Sequence, residues 1–298
     1  MQSSVATAVF LPLALGIIML GLGLSLTLDD FKRVVQIPKA ILVGLVCQML
    51  LLPVAAFLIA TAFDLAPALA VGLMLLAASP GGATANLFSH LAKGDVALNI
   101  TLTAVNSVLS LLSLPFIVNF SMRHFMGAGA TIPLQFDKVL QVFAIVLVPV
   151  AIGMVINANA PGAAMRLGKP VKILSAAFLV LVIAATVAKE RANVLEFFQQ
   201  VGLAALAFNL VSMLTGYVLP RLARLSKKQA IAIGMEIGIH NGTLAIAIAS
   251  SPTLLNNSTM AIPPAIYSLI MFFTAAVFGY LVNRGGAAPA APAAAPEA

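Results

Sequence analysis

The sequence has few charged residues, few cysteines and no tryptophan. Of its 298 residues 8% are charged, and Cys47 is the only cysteine. Because an average soluble domain is about 25% charged, this composition excludes a soluble monomer and a disordered chain. A single cysteine excludes an internal disulfide and a cysteine-based metal cluster. The composition therefore indicates a protein whose surroundings are largely lipid.

Apolar residues make up 61% of the chain and fall into long runs. A hydrocarbon core of about 30 Å requires about 20 apolar residues of helix. Nine stretches meet this requirement and are the predicted spans: 5–26, 40–62, 66–91, 96–120, 135–157, 171–188, 201–219, 230–250 and 263–283. We therefore predict an all-α polytopic membrane protein with a transmembrane domain over 1–284. The Ala/Pro-rich segment 285–298 is expected to be a disordered cytoplasmic tail.

The basic residues indicate how the chain is oriented. Twelve of the 16 Lys and Arg residues follow odd-numbered predicted spans, and four follow even-numbered ones. The positive-inside rule then predicts an external N-terminus and a cytoplasmic C-terminus in the plasma (bacterial inner) membrane. The net charge of +7 is explained by topology, and a nucleic-acid partner has no support.

Two predicted spans contain residues that interrupt a helix. The third span reads SPGGATAN over 79–86, and the eighth reads EIGIHNGT over 236–243. Proline removes a backbone donor, and glycine weakens a helix. Non-helical backbone in a membrane persists only where it lines a cavity or is buried in protein.

The two interrupted spans are five apart, so they cross the membrane in opposite directions. Pairing spans one to four with six to nine keeps this offset and leaves the fifth unpaired. Interrupted helices at matching positions of inverted halves indicate a secondary transporter site. Half-helix N-termini favour an anionic substrate, and their C-terminal carbonyls favour a cation. The alternative is two kinked structural helices, but the matching positions and polar side chains favour a site.

Glu236 is the only acidic residue well inside a predicted span. An ionised carboxylate in the bilayer is costly unless it is paired, coordinated or protonated, which makes Glu236 a functional candidate. His240 follows four residues later. It can pair with Glu236, bind substrate, carry a proton or serve as a structural histidine.

Polar side chains on other spans offer oxygen ligands. Asn99, Thr103, Asn106 and Ser110 lie on one face of the fourth predicted span. For the last two, helix packing is an equally good interpretation. Asn99 and Thr103, together with Glu236, Asn86 and Gln48, form the predicted set of oxygen donors. Hard cations prefer such ligands, and one carboxylate suits a monovalent ion, so sodium is the predicted cation.

These residues resemble the bile acid:sodium symporter family over about 11–283. The resemblance rests on LGIIM at 15–19 with GLGL at 21–24, PGG at 80–82 with Asn86, and the E-x-G-x-x-N pattern at 236–241. By this resemblance the chain is identified as a bacterial homologue of the apical sodium-dependent bile acid transporter.

The resemblance implies two sodium sites and a substrate site. The first sodium site would use Asn86, Asn99, Thr103 and Glu236. The second would use Gln48, Glu236, the carbonyls of Ile237 and Ile239, and His240. Substrate would lie near Ala83, Thr84, Asn241, Gly242 and Thr243. It also implies a panel of spans 5–26, 135–157 and 171–188 that moves against a core of the other six.

The chain departs from the family pattern at several of these positions. Ala83 and Ala85 replace a threonine and a serine at the first break, so one sodium ligand is lost. His240 replaces a glutamine, and imidazole suits transition metals better than alkali ions. Met271 and Phe272 replace a His-Asn pair of bile-acid-transporting relatives. These departures argue against a bile acid and make a smaller carboxylate, such as pantoate or a keto acid, an equal expectation.

The expected function is sodium-coupled import of an organic anion by alternating access, by a monomer in the lipid bilayer with no cofactor besides the coupling ion. Proton coupling through Glu236 and His240 is the alternative. A channel and a receptor are other classes, but no soluble signalling domain is recognisable. The sequence lacks HExxH, Walker A and Gly-x-Ser-x-Gly motifs, so an enzyme is not expected.

Overall fold

In the computed structural model the described residues are 13, 16–127, 136–189, 194–252 and 254–284. All regular elements within these ranges are helical, which confirms the all-α prediction. The predicted span 5–26 lies only partly inside the described residues, and the predicted tail 285–298 lies outside them.

The chain folds into a series of helices of very different length. The α-helices are α1 (16–23), α2 (Leu28–Gln36), α3 (Pro38–Val46), α4 (Leu52–Ala62), α5 (Pro67–Ala78), α6 (Ala83–Leu91), α7 (Val96–Phe125), α8 (Phe136–Asn159), α9 (Pro161–Lys189), α10 (Val194–Leu222), α11 (Lys227–Gly238), α12 (Gly242–Ser250) and α13 (Ile262–Asn283). A π-helical turn (Cys47–Leu51) joins α3 to α4, and a 3-10 turn (Thr259–Ala261) precedes α13.

Both predicted helix breaks are present. The third predicted span divides into α5 and α6, with extended backbone at Ser79 and Gly82 between them. The eighth divides into α11 and α12, separated by 239–241. Since Pro80 lacks an N–H and glycine is a poor helix former, the local sequence explains the first break directly.

Four continuous helical stretches within the described residues are long and apolar enough to cross a bilayer. They are Pro38–Ala62, Val96–Phe125, Phe198–Leu222 and Thr259–Asn283. The half-helix Pro67–Ala78 is apolar but shorter. The count of nine spans therefore stays a prediction. A span that is broken into two half-helices is not one continuous helix long enough to cross a bilayer.

The buried centre of the molecule lies around α5 and α11. Every residue from Leu69 to Ala78 is buried, and so is every residue from Ala230 to Gly238. Helix α11 packs on α10, α7 and α6, whereas α5 packs on α7, α4 and α13. The two half-helices are therefore enclosed by protein, as irregular backbone in a membrane requires.

Helices α1, α8 and α9 pack against one another. A Cβ added at Gly23 would clash with the backbone of Val150, and one at Gly153 would clash with the backbone of Leu20. These two glycines permit close approach of α1 and α8. Leu24 and Val171 share a small apolar cluster that connects the α1 end to α9.

Candidate functional site

The two broken helices cross at their breaks and hydrogen-bond to each other. Gly81 and His240 form an antiparallel bridge. The Gly82 N–H donates to the Ile239 carbonyl at 2.9 Å, and the Asn241 N–H donates to the Pro80 carbonyl at 2.8 Å. Backbone groups that leave the helical pattern at one break are thus paired with those of the other. The ends of four half-helices meet at this crossing.

The Glu236 carboxylate lies at this crossing and is fully buried. The Thr103 hydroxyl donates to its Oε2 at 2.6 Å, and the Asn106 Nδ2 donates to its Oε1 at 3.3 Å. A Cβ added at Gly81 would collide with the carboxylate, so the glycine of the first break makes room for the acid of the second. The structure therefore brings the fourth predicted span, the first break and Glu236 together.

Several amide oxygens close to this region have no hydrogen-bond partner among the described residues. They are Oδ1 of Asn86, Asn99 and Asn106. The Nδ2 of Asn99 donates to the Ala232 carbonyl at 2.7 Å, one turn of α11 before Glu236. Because buried polar atoms normally have partners, unpaired buried oxygens indicate a place for a bound cation or water. Oxygen is the donor that a hard cation prefers.

From the sequence alone, helix packing was as good an interpretation of Asn106 as a role in the site. The signal was present, because Asn99, Thr103 and Asn106 follow helical spacing on one face of α7. By contrast, the Ser110 hydroxyl donates to the Ser107 carbonyl of its own helix, at 3.1 Å. Helical spacing identified the polar face of α7. The position of Glu236 determines which residues of that face contact the carboxylate.

A second polar group lies at the C-terminal end of α5. Gln48 Nε2 donates to the carbonyls of Ala77 at 3.2 Å and Ser79 at 3.0 Å. The His240 Nδ1 lies 3.1 Å from the same Ser79 carbonyl and donates to it, since a carbonyl only accepts. Gln48 Oε1 and His240 Nε2 are buried without a described partner.

The i, i+4 spacing of Glu236 and His240 does not bring them into a hydrogen bond, contrary to the predicted pairing. Helix α11 ends at Gly238, so the spacing is not helical at this point. The imidazole contacts the Ser79 carbonyl and stacks on the Phe208 ring, with centroids 5.5 Å apart. Glu236 instead bonds to residues of α7.

Gln48 is positioned by an element that the sequence did not predict. It lies in the π-helical turn Cys47–Leu51, where the Leu52 N–H bonds to the Cys47 carbonyl. Pro53 follows directly, and its ring displaces the carbonyl of the preceding turn. The available signal was this proline, because π-turns often occur at such kinks and at functional sites.

Asn209 and Tyr267 were also absent from the predicted site. The Asn209 Nδ2 and the Tyr267 hydroxyl both donate to the Gly238 carbonyl, at 3.0 and 2.9 Å. Both side chains are fully buried. Each is an isolated polar residue in an apolar run, which was the only available signal. They fix the last carbonyl of α11 beside the break.

The predicted substrate residues lie at the N-terminal ends of α6 and α12. Thr84 is exposed, and Asn241 and Thr243 are half-buried. The Asn241 Oδ1 caps α12 by accepting the Leu244 N–H at 3.0 Å. Gly242 packs against the Ser268 hydroxyl. The side chain of Ala83 lies outside the described part of the chain.

The remaining predicted ligands serve packing as well. The Ile237 side chain lies where a Cβ on Gly216 would clash, so it fills the contact between α10 and α11. The Ile239 carbonyl accepts the Gly82 N–H. In the described ranges no three His, Cys, Asp or Glu side chains form a cluster fit for a metal ion, so a cation bound here would need amide, hydroxyl and carbonyl oxygens in addition to the Glu236 carboxylate.

Two crossed, broken helices around a buried carboxylate define the class of protein as a secondary transporter. A family profile described as the sodium bile acid symporter family matches residues 12–197. The chain belongs to this family. Its members are sodium-coupled membrane transporters rather than enzymes, which confirms two predictions from the sequence.

Individual relatives agree with this assignment. The chain is 27% identical to an uncharacterized sodium-dependent transporter, YocS, of Bacillus subtilis, over 87% of this chain and 78% of the relative. It is 25% identical to the human ileal sodium/bile acid cotransporter, over 92% of this chain and 79% of the relative. A probable sodium/metabolite cotransporter of Arabidopsis thaliana chloroplasts, BASS1, is 25% identical over 86% of this chain, which spans only 62% of that relative.

Proposed function

We propose that this chain is a sodium-coupled symporter that imports an organic anion by alternating access. The observation that carries the proposal is the fully buried Glu236 carboxylate at the crossing of two broken helices. A buried carboxylate requires a partner of positive charge or a proton. The unpaired amide oxygens beside it are suited to sodium.

We propose that the helices form nine spans arranged as an inverted repeat. The packing of α1, α8 and α9 against one another supports a panel of spans 5–26, 135–157 and 171–188. The six other spans form the core, and both lie within a transmembrane domain over 1–284. Residues 285–298 are a cytoplasmic tail in this arrangement.

The proposed sodium site uses Glu236 and the polar face of α7. Thr103 contacts the carboxylate directly, and Asn99 and Asn86 offer unpaired buried oxygens. The carboxylate supplies the single negative charge that a monovalent cation needs. Sodium is a transported ion here, so its binding must be reversible and must respond to the substrate.

The proposed substrate site lies at the N-termini of α6 and α12, near Ala83, Thr84 and 241–243. Helix N-termini carry partial positive charge and favour anions. Phe88 of α6 and Phe272, midway along α13, stack with centroids 5.8 Å apart, so the contact between these two helices is apolar at this point. The names of the relatives support bile acids and metabolites as substrate classes, and pantoate or a keto acid is an equal candidate in this proposal.

Coupling follows from linkage between the two sites. Sodium bound at Glu236 holds the breaks in one geometry, and the half-helix N-termini at the same crossing then bind the anion more tightly. By reciprocity the anion strengthens sodium binding by the same factor. Movement of the core against the panel then exposes both ligands to the cytoplasm. The transporter is proposed to act as a monomer in the bacterial inner membrane.

The proposal is tested by uptake into proteoliposomes of radiolabelled pantoate, pyruvate and taurocholate under an inward sodium gradient. We expect uphill accumulation of at least one of them. Glu236→Ala is expected to lower sodium-driven uptake at least about tenfold, the factor that 1.4 kcal/mol of binding represents. Size-exclusion chromatography checks that the variant remains folded.

Glu196→Ala is the matched control, because Glu196 is exposed and accepts a hydrogen bond from Gln200 in the next turn. It should transport normally. Unchanged sodium-driven uptake by Glu236→Ala contradicts the proposal. Uptake driven by a proton gradient without sodium would favour the alternative of proton coupling.

A further inference from the structure

We propose that His240 takes the place of a second sodium ion, so that this transporter binds a single sodium ion at the crossing. The inference rests on the proposed function and concerns its ion stoichiometry. The group formed by Gln48, Ser79 and His240 is named here the histidine side of the crossing. The group formed by Glu236, Thr103 and Asn106 is named the carboxylate side.

The end of α5 on the histidine side requires positive charge or hydrogen-bond donors. Helix α5 ends at Ala78, and its last carbonyls carry the partial negative charge of a helix C-terminus. A bound cation is one way to satisfy them. In this chain fixed side chains do so: Gln48 Nε2 bonds to Ala77 and Ser79, and His240 Nδ1 bonds to Ser79.

Two backbone carbonyls beside the predicted second ion site already accept two hydrogen bonds each. A carbonyl oxygen has two lone pairs. The Ser79 carbonyl accepts from both Gln48 and His240. The Gly238 carbonyl accepts from both Asn209 and Tyr267. Neither oxygen has a lone pair left for a cation.

Three neighbouring carbonyls each accept one backbone hydrogen bond. Ile239 accepts the Gly82 N–H, Pro80 accepts the Asn241 N–H, and His240 accepts the Gly242 N–H. Two side-chain atoms on the histidine side have no described partner, the Gln48 Oε1 and the His240 Nε2. One amide oxygen does not make the set of several oxygens that an alkali ion requires, and an imidazole nitrogen suits transition metals better than alkali ions.

The imidazole is held in place on all sides. His240 is 1% exposed and stacks on Phe208, with an interplanar angle of 20°. Its ring also makes an edge contact with Tyr267 at 5.4 Å. Because the ring is covalently attached and tightly packed, it satisfies the end of α5 permanently, whereas a bound ion leaves in each transport cycle.

The carboxylate side differs in the way that a cation site should. It has the negative charge of Glu236 and, on its two sides along α7, the unpaired oxygens of Asn99 and Asn106. The histidine side has no ionised oxygen, and its Ser79 carbonyl already accepts two hydrogen bonds. The carboxylate side therefore binds one sodium ion reversibly, and on the histidine side the fixed imidazole takes the place of a second ion.

The test is equilibrium binding of radioactive sodium to the purified full-length protein in detergent. We expect saturation at about one ion per chain, and a Hill coefficient for sodium-driven uptake of about one. His240→Gln removes the imidazole donor, frees one lone pair on Ser79 and adds an amide oxygen. This variant is expected to saturate at about two ions per chain.

The outcomes separate the inference from the proposed function. No saturable sodium binding by the wild type contradicts both. Saturation of the wild type at two ions contradicts the inference and leaves sodium coupling standing. If His240→Gln stays at one ion, His240 is not the group that excludes the second. His90→Gln, at an exposed position on α6, is the control and should bind one ion.

Discussion

At the scale of single residues, the site depends on polar side chains that reach one carboxylate from other helices. Ala85 is fully buried and has no hydroxyl to offer. The longer amides of Asn99 and Asn106 on α7 each leave an oxygen unpaired in the same interior. We therefore propose that α7 compensates for the ligand lost from the first break and supplies oxygens to a cation at the carboxylate.

Asn106→Ala tests this compensation. The variant removes the donor to Glu236 Oε1 and one unpaired oxygen, and a hydrogen bond to a charged group contributes about 1.5–3 kcal/mol. We expect the sodium concentration for half-maximal uptake to rise roughly tenfold or more, since 1.4 kcal/mol corresponds to a factor of ten. Sodium titration of uptake in proteoliposomes measures it.

Ser110→Ala is the control for Asn106→Ala, one turn further along the same buried face. Its hydroxyl bonds to the Ser107 carbonyl within α7 and does not reach Glu236. Its sodium dependence should match the wild type. Equal shifts in both variants would mean that the polar face of α7 acts only in helix packing.

At the scale of elements, the breaks are held open by side chains from intact helices. Asn209 of α10 and Tyr267 of α13 bond to the last carbonyl of α11, and Gln48 of the π-helical turn bonds to the last carbonyls of α5. Each half-helix end would otherwise have unpaired carbonyls in the protein interior, which is costly. Side chains of the continuous helices therefore stabilise the ends of the half-helices by hydrogen bonds.

Tyr267→Phe is expected to destabilise the end of α11. The change removes the hydroxyl that bonds to Gly238 and leaves the ring in place. We expect a loss of about 1 kcal/mol in stability and a lower Tm. Thermal unfolding in detergent measures this loss. Tyr280→Phe, on the same helix but 63% exposed, should leave Tm unchanged, and equal effects of the two variants would contradict the role of Tyr267.

At the scale of the whole molecule, the distribution of basic residues predicts the orientation of the chain in the membrane. Cys47 is 1% exposed, so we expect that a thiol reagent does not label it. Met126→Cys directly follows α7, in a segment predicted to face outward. Gly162→Cys lies in the first turn of α9, between the fifth and sixth predicted spans, in a segment predicted to face the cytoplasm. Both positions are exposed.

A membrane-impermeant thiol reagent should label Met126→Cys in intact cells and Gly162→Cys only after permeabilisation. The physical reason is the retention of Lys- and Arg-rich loops in the cytoplasm. The reverse pattern would show that the positive-inside rule fails for this chain. The unaltered protein, with Cys47 alone, should stay unlabelled in both conditions.

The sequence by itself was enough for the features that depend on local or average properties. Low charge and long apolar runs determined an all-helical, lipid-embedded chain, and Pro80, Gly81 and Gly82 determined where the first break falls. Glu236 was identified because an acid alone in an apolar run has few structural explanations. Each of these features can be recognised from average composition or from residues close together in the sequence.

Only the tertiary structure decided which atoms meet. Thr103 and Glu236 are 133 positions apart, and Ser79 and His240 are 161 apart, so no local preference joins them. The same holds for Asn106, whose spacing was visible but whose partner was not. The pairing of His240 with Ser79 instead of Glu236 follows from where α11 ends and how α5 packs beside it. These contacts depend on the packing of distant helices, which residue types and spacing along the chain do not specify.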